Sequence, residues 1–100
     1  MQSLSIIVPC FNEAKNITSF YDAVMGEKWR DFISDYEMIF IDDGSTDGTV
    51  GEILRLKKID KNVRLIKFSR NFGKESAMLA GLKASQKSLI TLMDLSLIHI

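Results

Sequence analysis

The polar side chains able to do chemistry fall in four short runs, each placed directly after an apolar segment. Pro9-Cys10-Phe11-Asn12-Glu13 follows Leu4–Val8, and Asp42-Asp43-Gly44-Ser45-Thr46-Asp47-Gly48-Thr49 follows Tyr36–Ile41. Ser69-Arg70-Asn71-Phe72-Gly73-Lys74-Glu75 follows Val63–Phe68, and Asp94 follows Leu89–Met93. Carboxylates such as Asp42 and Asp43 accept hydrogen bonds from base N–H groups and ribose hydroxyls, and Arg70 or Lys74 can meet phosphate oxygens. That mixture suits a nucleotide. The dinucleotide fingerprint G-x-G-x-x-G is missing after the first apolar segment, and the P-loop pattern G-x-x-x-x-G-K-[ST] is missing as well. Phosphate charge must then be offset otherwise, most simply by a divalent cation on carboxylates, which makes Asp94 a candidate metal residue.

Each run also has a plain structural account. Glu13 could simply favour a helix start, Asp42 and Asp43 could form Asx turns, and Arg70 and Lys74 could be solvated. Their common position after strands argues for a shared site, because open parallel α/β sheets bind ligands outside the carboxyl ends of their strands.

The elements that must hold these runs are legible from periodicity. Leu4–Val8 reads as a first strand closed by Pro9, which cannot donate to a central ladder. Asn12 reads as an N-cap with Glu13 at the first helical position, and Ile17, Phe20, Tyr21, Val24 and Met25 form one apolar stripe ending at Gly26. Residues 27–35 read as a polar connection with a short helical turn carrying Trp29, Phe32 and Ile33. Glu37–Ile41 is the second strand, and Thr49-Val50-Gly51-Glu52 resembles a capping box opening a helix that ends near Lys58. Val63–Phe68 alternates only partly, which suits a strand near the sheet edge. A third helix over Ser76–Ala84 places Ala77, Ala80, Gly81 and Ala84 on one small-residue face, and Leu89–Met93 is the fourth strand. The order β-α-β-α-β-α-β predicts an α/β, doubly wound, mainly parallel sheet with right-handed crossovers.

Bulk properties narrow the field. With 100 residues, 46% hydrophobic and 26% charged, the chain suits a globular unit rather than a disordered one. A formal net charge of +0 gives no overall pull toward nucleic acid or an anionic membrane. The single cysteine, Cys10, cannot form an internal disulfide; this fits a reducing compartment and a packing role. No signal peptide is visible at residues 1–4, and no apolar stretch approaches the ~20 residues that span a bilayer.

Taken in order, Ile7-Val8-Pro9-Cys10-Phe11-Asn12-Glu13, Asp42-Asp43-Gly44-Ser45-Thr46-Asp47-Gly48-Thr49 and Ser69-Arg70-Asn71-Phe72-Gly73-Lys74-Glu75 resemble the inverting family 2 glycosyltransferases of the GT-A fold. The branch most similar is that of polyprenyl-phosphate sugar transferases, relatives of dolichol-phosphate mannose synthase and bactoprenol glucosyltransferase. The resemblance covers about Leu4 to Asp94. It implies that Pro9, Phe11 (often tyrosine in the family), Glu13 and Asp42 line the pocket for the nucleotide of a UDP- or GDP-sugar, with Asp43 and Gly44 shaping the same loop. Arg70 and Lys74 would belong to a segment characteristic of the polyprenyl-phosphate branch. Asp94 would match one aspartate of a D-x-D motif that positions the diphosphate and its Mg²⁺ or Mn²⁺. The implied setting is the cytoplasmic face of a membrane, with a polyprenyl-phosphate acceptor and no nucleic acid.

The sequence departs from that pattern after Asp94. Where the second D-x-D carboxylate is expected stands Ser96, and Leu95–Ile100 reads as a tail foreign to the family. The catalytic base is expected outside the matching region, so the chain is expected to bind donor without transferring sugar and to be marginally stable or prone to aggregate. The alternative reading is a non-catalytic, metal-assisted nucleotide-binding module. A signalling receiver domain fits poorly, because its acidic pair would end the first strand, which here ends in Pro9.

Overall fold

Four parallel strands form a single sheet: β1 (Gln2–Cys10), β2 (Ile33–Asp42), β3 (Val63–Lys67) and β4 (Leu89–Leu92), in the order β3-β2-β1-β4. Three helices connect them, α1 (Ile17–Met25), α2 (Thr49–Ile59) and α3 (Lys74–Ala84), with a turn of 3₁₀ helix at Lys28–Asp31. These elements come from a computed structural model that describes residues 2–95. The chain moves outward from β1 through β2 to β3, then returns to place β4 on the far side of β1. Right-handed crossovers therefore put α1 and α2 on one face and α3 on the other. The doubly wound α/β architecture and the edge position of β3 are as the periodicity predicts.

Side chains alternate across the sheet and divide the core in two. Ile6, Val8, Met38, Phe40 and Val63 pack with Ile17, Phe20 and Val24 of α1 and with Ile53 and Leu56 of α2. Phe20 meets Phe40 edge to face at 6.2 Å between ring centroids. On the opposite face, Ile7, Ile39 and Ile41 pack against Ala77, with Ala80 and Ala84 beside them. A Cβ on Gly81 would lie 2.3 Å from Ile7 Cγ2 and 2.8 Å from Ile41 Cδ1, so the small-residue face of α3 sets its closeness to the sheet.

A buried polar network fixes the other end of that helix. Glu37 is 4% exposed and accepts hydrogen bonds from Ser5 Oγ (2.6 Å), Arg64 Nη1 (2.6 Å) and Gln86 N (2.7 Å). Arg64 also donates to the Ala84 carbonyl (2.9 Å), satisfying the C-terminal end of α3. Burial works to raise the Glu37 carboxyl, but the bonds from Ser5, the Gln86 N–H and Arg64 outweigh it and hold it below its ordinary range.

Several boundaries differ from the sequence expectation, each for a local reason. β1 runs through Pro9 to Cys10. Ile7 accepts from Met93 N on the β4 side, so Pro9, two residues on, faces the same side just past the end of β4, where no donor is required. Asn12 is not a helix cap: it takes φ 52°, and the helix starts four residues later, with Asn16 at the N-cap position of α1. The capping box at Thr49 does not form; Thr49 is already helical, its N–H donates to Asp47 Oδ1 (2.9 Å), and Glu52 pairs with Arg55 instead. α3 begins at Lys74 rather than Ser76, because Gly73 at φ 104° supplies the turn into the helix. β2 is longer than expected at its start, β3 and β4 each end one residue sooner, and α2 continues to Ile59. Of the segment 95–100, Leu95 is buried in the α1–α2 core; the rest of that expected tail lies outside the described residues.

Two measurements test these packing claims. Gly81→Ala should lower stability to urea by about 1–2 kcal/mol, overpacking against β-branched Ile7 outweighing the gain in helix propensity. Gly51→Ala, at an α2 position where a Cβ meets nothing within 4 Å, should instead raise it by about 0.5–1 kcal/mol. Because the folded-state Glu37 carboxyl is depressed, its contribution is complete above the ordinary carboxylate range, about pH 4–5, and is lost as pH falls. The stability difference between the parent and Glu37→Gln should therefore shrink between pH 6 and pH 3, in paired urea titrations at about those limits.

Candidate functional site

Three loops follow β1, β2 and β3 at one end of the sheet, and hydrogen bonds stitch them together. Asn12 N donates to Ser45 Oγ (2.8 Å) and Asn12 Oδ1 accepts from Thr46 N (2.8 Å). The left-handed backbone of Asn12 allows both, and Asn tolerates that conformation better than most residues. Glu13 N donates to Thr49 Oγ1 (2.9 Å), and Ala14 N donates to Asp47 Oδ2 (3.3 Å). The Thr49 hydroxyl donates in turn to Asp47; that bond leads the contacts that hold the Asp47 carboxyl below its ordinary range.

The acidic pair after β2 divides its labour. Asp42 is fully buried: its carboxylate accepts from Ser45 N (3.1 Å) and from the Ser45 hydroxyl, and its carbonyl accepts from Phe68 N (2.9 Å). Asp43 donates its N–H to the Cys10 carbonyl (2.9 Å), while its carboxylate accepts from Phe72 N (2.8 Å) and Gly73 N (3.1 Å) at the entrance to α3. Gly44, at φ 81°, crosses the third loop so closely that a Cβ would lie 2.4 Å from the Arg70 carbonyl carbon.

These contacts leave a pocket of about 270 Å³ where β1 and β4 diverge, the point at which strand order reverses. Pro9, Cys10, Phe11, Asp43, Asn71, Gly73, Lys74, Ala77 and Asp94 line it. Lys74 Nζ meets Asp94 Oδ2 at 2.5 Å across the pocket. Five of the eight residues proposed from sequence thus converge: Pro9, Phe11, Asp43, Lys74 and Asp94. The other three lie at the same end of the sheet but line other surfaces. Asp42 points into the second loop, Glu13 accepts from Asn16 Nδ2 (3.1 Å) beside it, and Arg70 lies over the Phe72 ring at 4.7 Å from its centroid. Phe72 meets Phe68 edge to face, so Arg70 closes the outer side of the third loop. Cys10 is buried, with its Sγ 3.6 Å from the Ile41 carbonyl. Burial, reinforced by the nearby carboxylates, pushes its thiol well up, which fits packing rather than reactivity.

The family profile described as Glycosyl transferase family 2 matches residues 5–98. The chain belongs to that family. The chain is 41% identical over 96 residues to CsbB of Bacillus subtilis (strain 168), covering 96% of itself and 29% of the relative. It is 38% identical over 95 residues to the bactoprenol glucosyl transferase of Shigella phage SfX, covering 94% of itself and 30% of that protein. The family 2 chain therefore spans just under a third of the length of these curated relatives. Among solved structures, it superposes on the mannosyltransferase PcManGT from Pyrobaculum calidifontis, in complex with GDP-Man and Mn²⁺, with a TM-score of 0.79 at 25% identity. That superposition covers 92% of this chain and 27% of the other.

The residues present fit a divalent cation to a defined extent. Among the described residues no three His, Cys, Asp or Glu side chains converge as a ligand set. Asp94 nonetheless holds a positive group, the Lys74 ammonium, on a carboxylate that is only 15% exposed. An ion that takes most of its ligands from substrate phosphates and water needs only one or two carboxylates.

Asn71 and Gly73 belong to the third polar run but are not singled out within it, and Ala77 reads only as a packing residue of the third helix; the path of that loop into α3 brings all three to the pocket wall. For Asn12 and Asp47 a signal existed: Asn and Asp favour left-handed backbone and Asx turns. Removing the carboxylate in Asp43→Ala should cost about 2–3 kcal/mol in urea unfolding, by stranding the Phe72 and Gly73 N–H groups. The same change should speed hydrogen exchange at Phe72 and Gly73 selectively, which distinguishes loop release from general loosening.

Proposed function

We propose that this chain is the donor-binding part of an inverting glycosyltransferase that moves a sugar from a UDP- or GDP-sugar to polyprenyl phosphate. The observation that carries this reading is the meeting of Phe11, Asp43, Lys74 and Asp94 around one pocket, at the switch point of a sheet whose family match spans residues 5–98. A volume near 270 Å³ lies just below the range of about 300–1,000 Å³ usual for ligand sites, so it holds part of a nucleotide-sugar rather than all of it. The relatives of this chain include proteins named bactoprenol glucosyl transferase, which supports a polyprenyl-phosphate acceptor held at a membrane. Among the described residues no helix is long and apolar enough to cross a membrane.

In this reading Phe11 lies on the nucleotide as an apolar wall, and the half-exposed Phe11 ring suits stacking on a base. Asp43 acts at one remove: its carboxylate is committed to the N–H groups of Phe72 and Gly73, and this holds Lys74 at the pocket. Lys74 meets the diphosphate and steadies the charge that grows on it as the bond from the anomeric carbon to the leaving oxygen breaks. Asp94 would hold Mg²⁺ or Mn²⁺, which when bound offsets charge on the departing nucleoside diphosphate. Of the pocket carboxylates, Asp43 and Asp94 are both engaged in these roles. With both so engaged, the pocket carboxylates among the described residues supply no base for the acceptor, and this chain alone is expected to bind donor without turning over.

Calorimetric titration with UDP and GDP in the presence of Mn²⁺ tests the proposal. One nucleotide should bind with a Kd within the span of about 1 μM–1 mM common for enzyme substrates. Asp94→Asn should weaken that binding about tenfold or more, as expected for loss of a charged ligand. No binding of either nucleotide, or equal binding of adenine nucleotides, would overturn the reading. Sugar transfer by the purified chain would overturn its restriction to donor binding.

A further inference from the structure

The ion pair across the pocket joins two side chains of very different freedom. Lys74, the first residue of α3, has a flexible four-carbon stem and is 49% exposed. Asp94 is short, fixed just after β4, and only 15% exposed. The ammonium can swing away into solvent or toward a ligand; the carboxylate stays. Asp43, the other carboxylate lining the pocket, is bound by backbone N–H groups and takes no part in this exchange.

Opposite charges at this distance set up a competition. A divalent cation arriving alone at Asp94 must first displace the Lys74 ammonium. A diphosphate arriving alone must draw Lys74 away and leave two anions facing each other across the pocket. When the two arrive together, Asp94 passes to the cation and Lys74 to a phosphate oxygen, so one ion pair is replaced by two. A site with a single available carboxylate also needs phosphate oxygens to complete the coordination of Mg²⁺ or Mn²⁺.

We propose that the Lys74–Asp94 ion pair is a placeholder: Lys74 occupies the cation position until a nucleoside diphosphate and its divalent ion displace it jointly. The two ligands then bind cooperatively, and Lys74 opposes the metal alone while favouring the nucleotide. This inference rests on the donor-pocket reading above and adds the order in which its charges are exchanged.

Equilibrium binding on the whole chain tests it, with free Mn²⁺ followed by electron paramagnetic resonance and UDP or GDP by calorimetry. In the parent, Mn²⁺ should tighten nucleotide binding by about tenfold or more, and the nucleotide should tighten Mn²⁺ by the same factor. Lys74→Met keeps the stem and removes the charge. It should strengthen binding of Mn²⁺ alone by roughly threefold or more, while weakening the Mn²⁺-saturated nucleotide complex by about tenfold. Lys74→Arg should restore the parent pattern for both ligands. Urea unfolding of each variant confirms that the fold is retained. Affinities for Mn²⁺ and nucleotide that fall together in Lys74→Met would overturn the placeholder, and so would nucleotide binding in the parent that is indifferent to Mn²⁺. Absence of nucleotide binding under every condition would instead remove the donor-pocket reading and this inference with it.

Discussion

The carboxylate of Asp43 carries the geometry of the whole rim, because three separate pieces of chain converge on that one residue. Its N–H reaches back to the Cys10 carbonyl at the end of β1, and its oxygens take the N–H groups of Phe72 and Gly73 ahead of α3. A buried negative charge at the entrance of an 11-residue helix also complements the partial positive charge of that helix end. The loops could not approach so closely with a side chain at position 44, where a positive φ and contact with the Arg70 backbone both require glycine. The pocket is thus built by satisfied backbone donors rather than by a cluster of side chains left waiting for a ligand.

The far end of α3 is fixed from within β2, the strand that Asp43 follows, through a different carboxylate. Glu37 in β2 holds Arg64, and Arg64 in turn holds the Ala84 carbonyl at the helix C-terminus. Acid at the N-terminal end and base at the C-terminal end both complement the helix dipole, and both lead back to β2 or to the residue just after it. Between them, Gly81 and Ala77 press on Ile7 and Ile41 with little room to spare. A helix pinned at two ends and seated on small residues cannot slide along the sheet, so its first residue, Lys74, is presented to the pocket from a rigid support.

Much of this was legible in the sequence, and what was not has a common cause. Apolar alternation and helical stripes located every strand and helix, and the small-residue face of α3 announced its close packing. The positions of the four polar runs at strand ends followed from strand order alone. Local patterns failed where a distant partner decided the outcome. Asn12 looks like a helix cap until the second loop claims its carbonyl oxygen and N–H, and Thr49 looks like a cap until Asp47 and Glu13 claim its hydroxyl. Glu37 reads only as the first residue of a strand, since its partners Ser5, Arg64 and Gln86 lie 32, 27 and 49 residues away. Likewise, nothing local separates Asp42, which turns into its own loop, from Asp43, which reaches the third.

Charge arithmetic leaves the rim with an excess of negative groups. Among Pro9, Phe11, Glu13, Asp42, Asp43, Arg70, Lys74 and Asp94 there are four carboxylates and two basic groups, although the chain as a whole is balanced. Arg70 is drawn off to the face of Phe72, which leaves Lys74 as the basic side chain lining the pocket. The anions are tolerable in the folded chain because backbone N–H groups of the loops solvate Asp42, Asp43 and Asp47. A phosphorylated ligand would add further negative charge to this surface, and the N–H groups of Ser45, Thr49, Phe72 and Gly73 are already bonded to these carboxylates. In the proposed donor site, neutralisation comes either from Lys74 at the expense of Asp94 or from a cation brought in with the ligand. On that reading, the same hydrogen bonds that make the rim rigid also give it a use for imported charge.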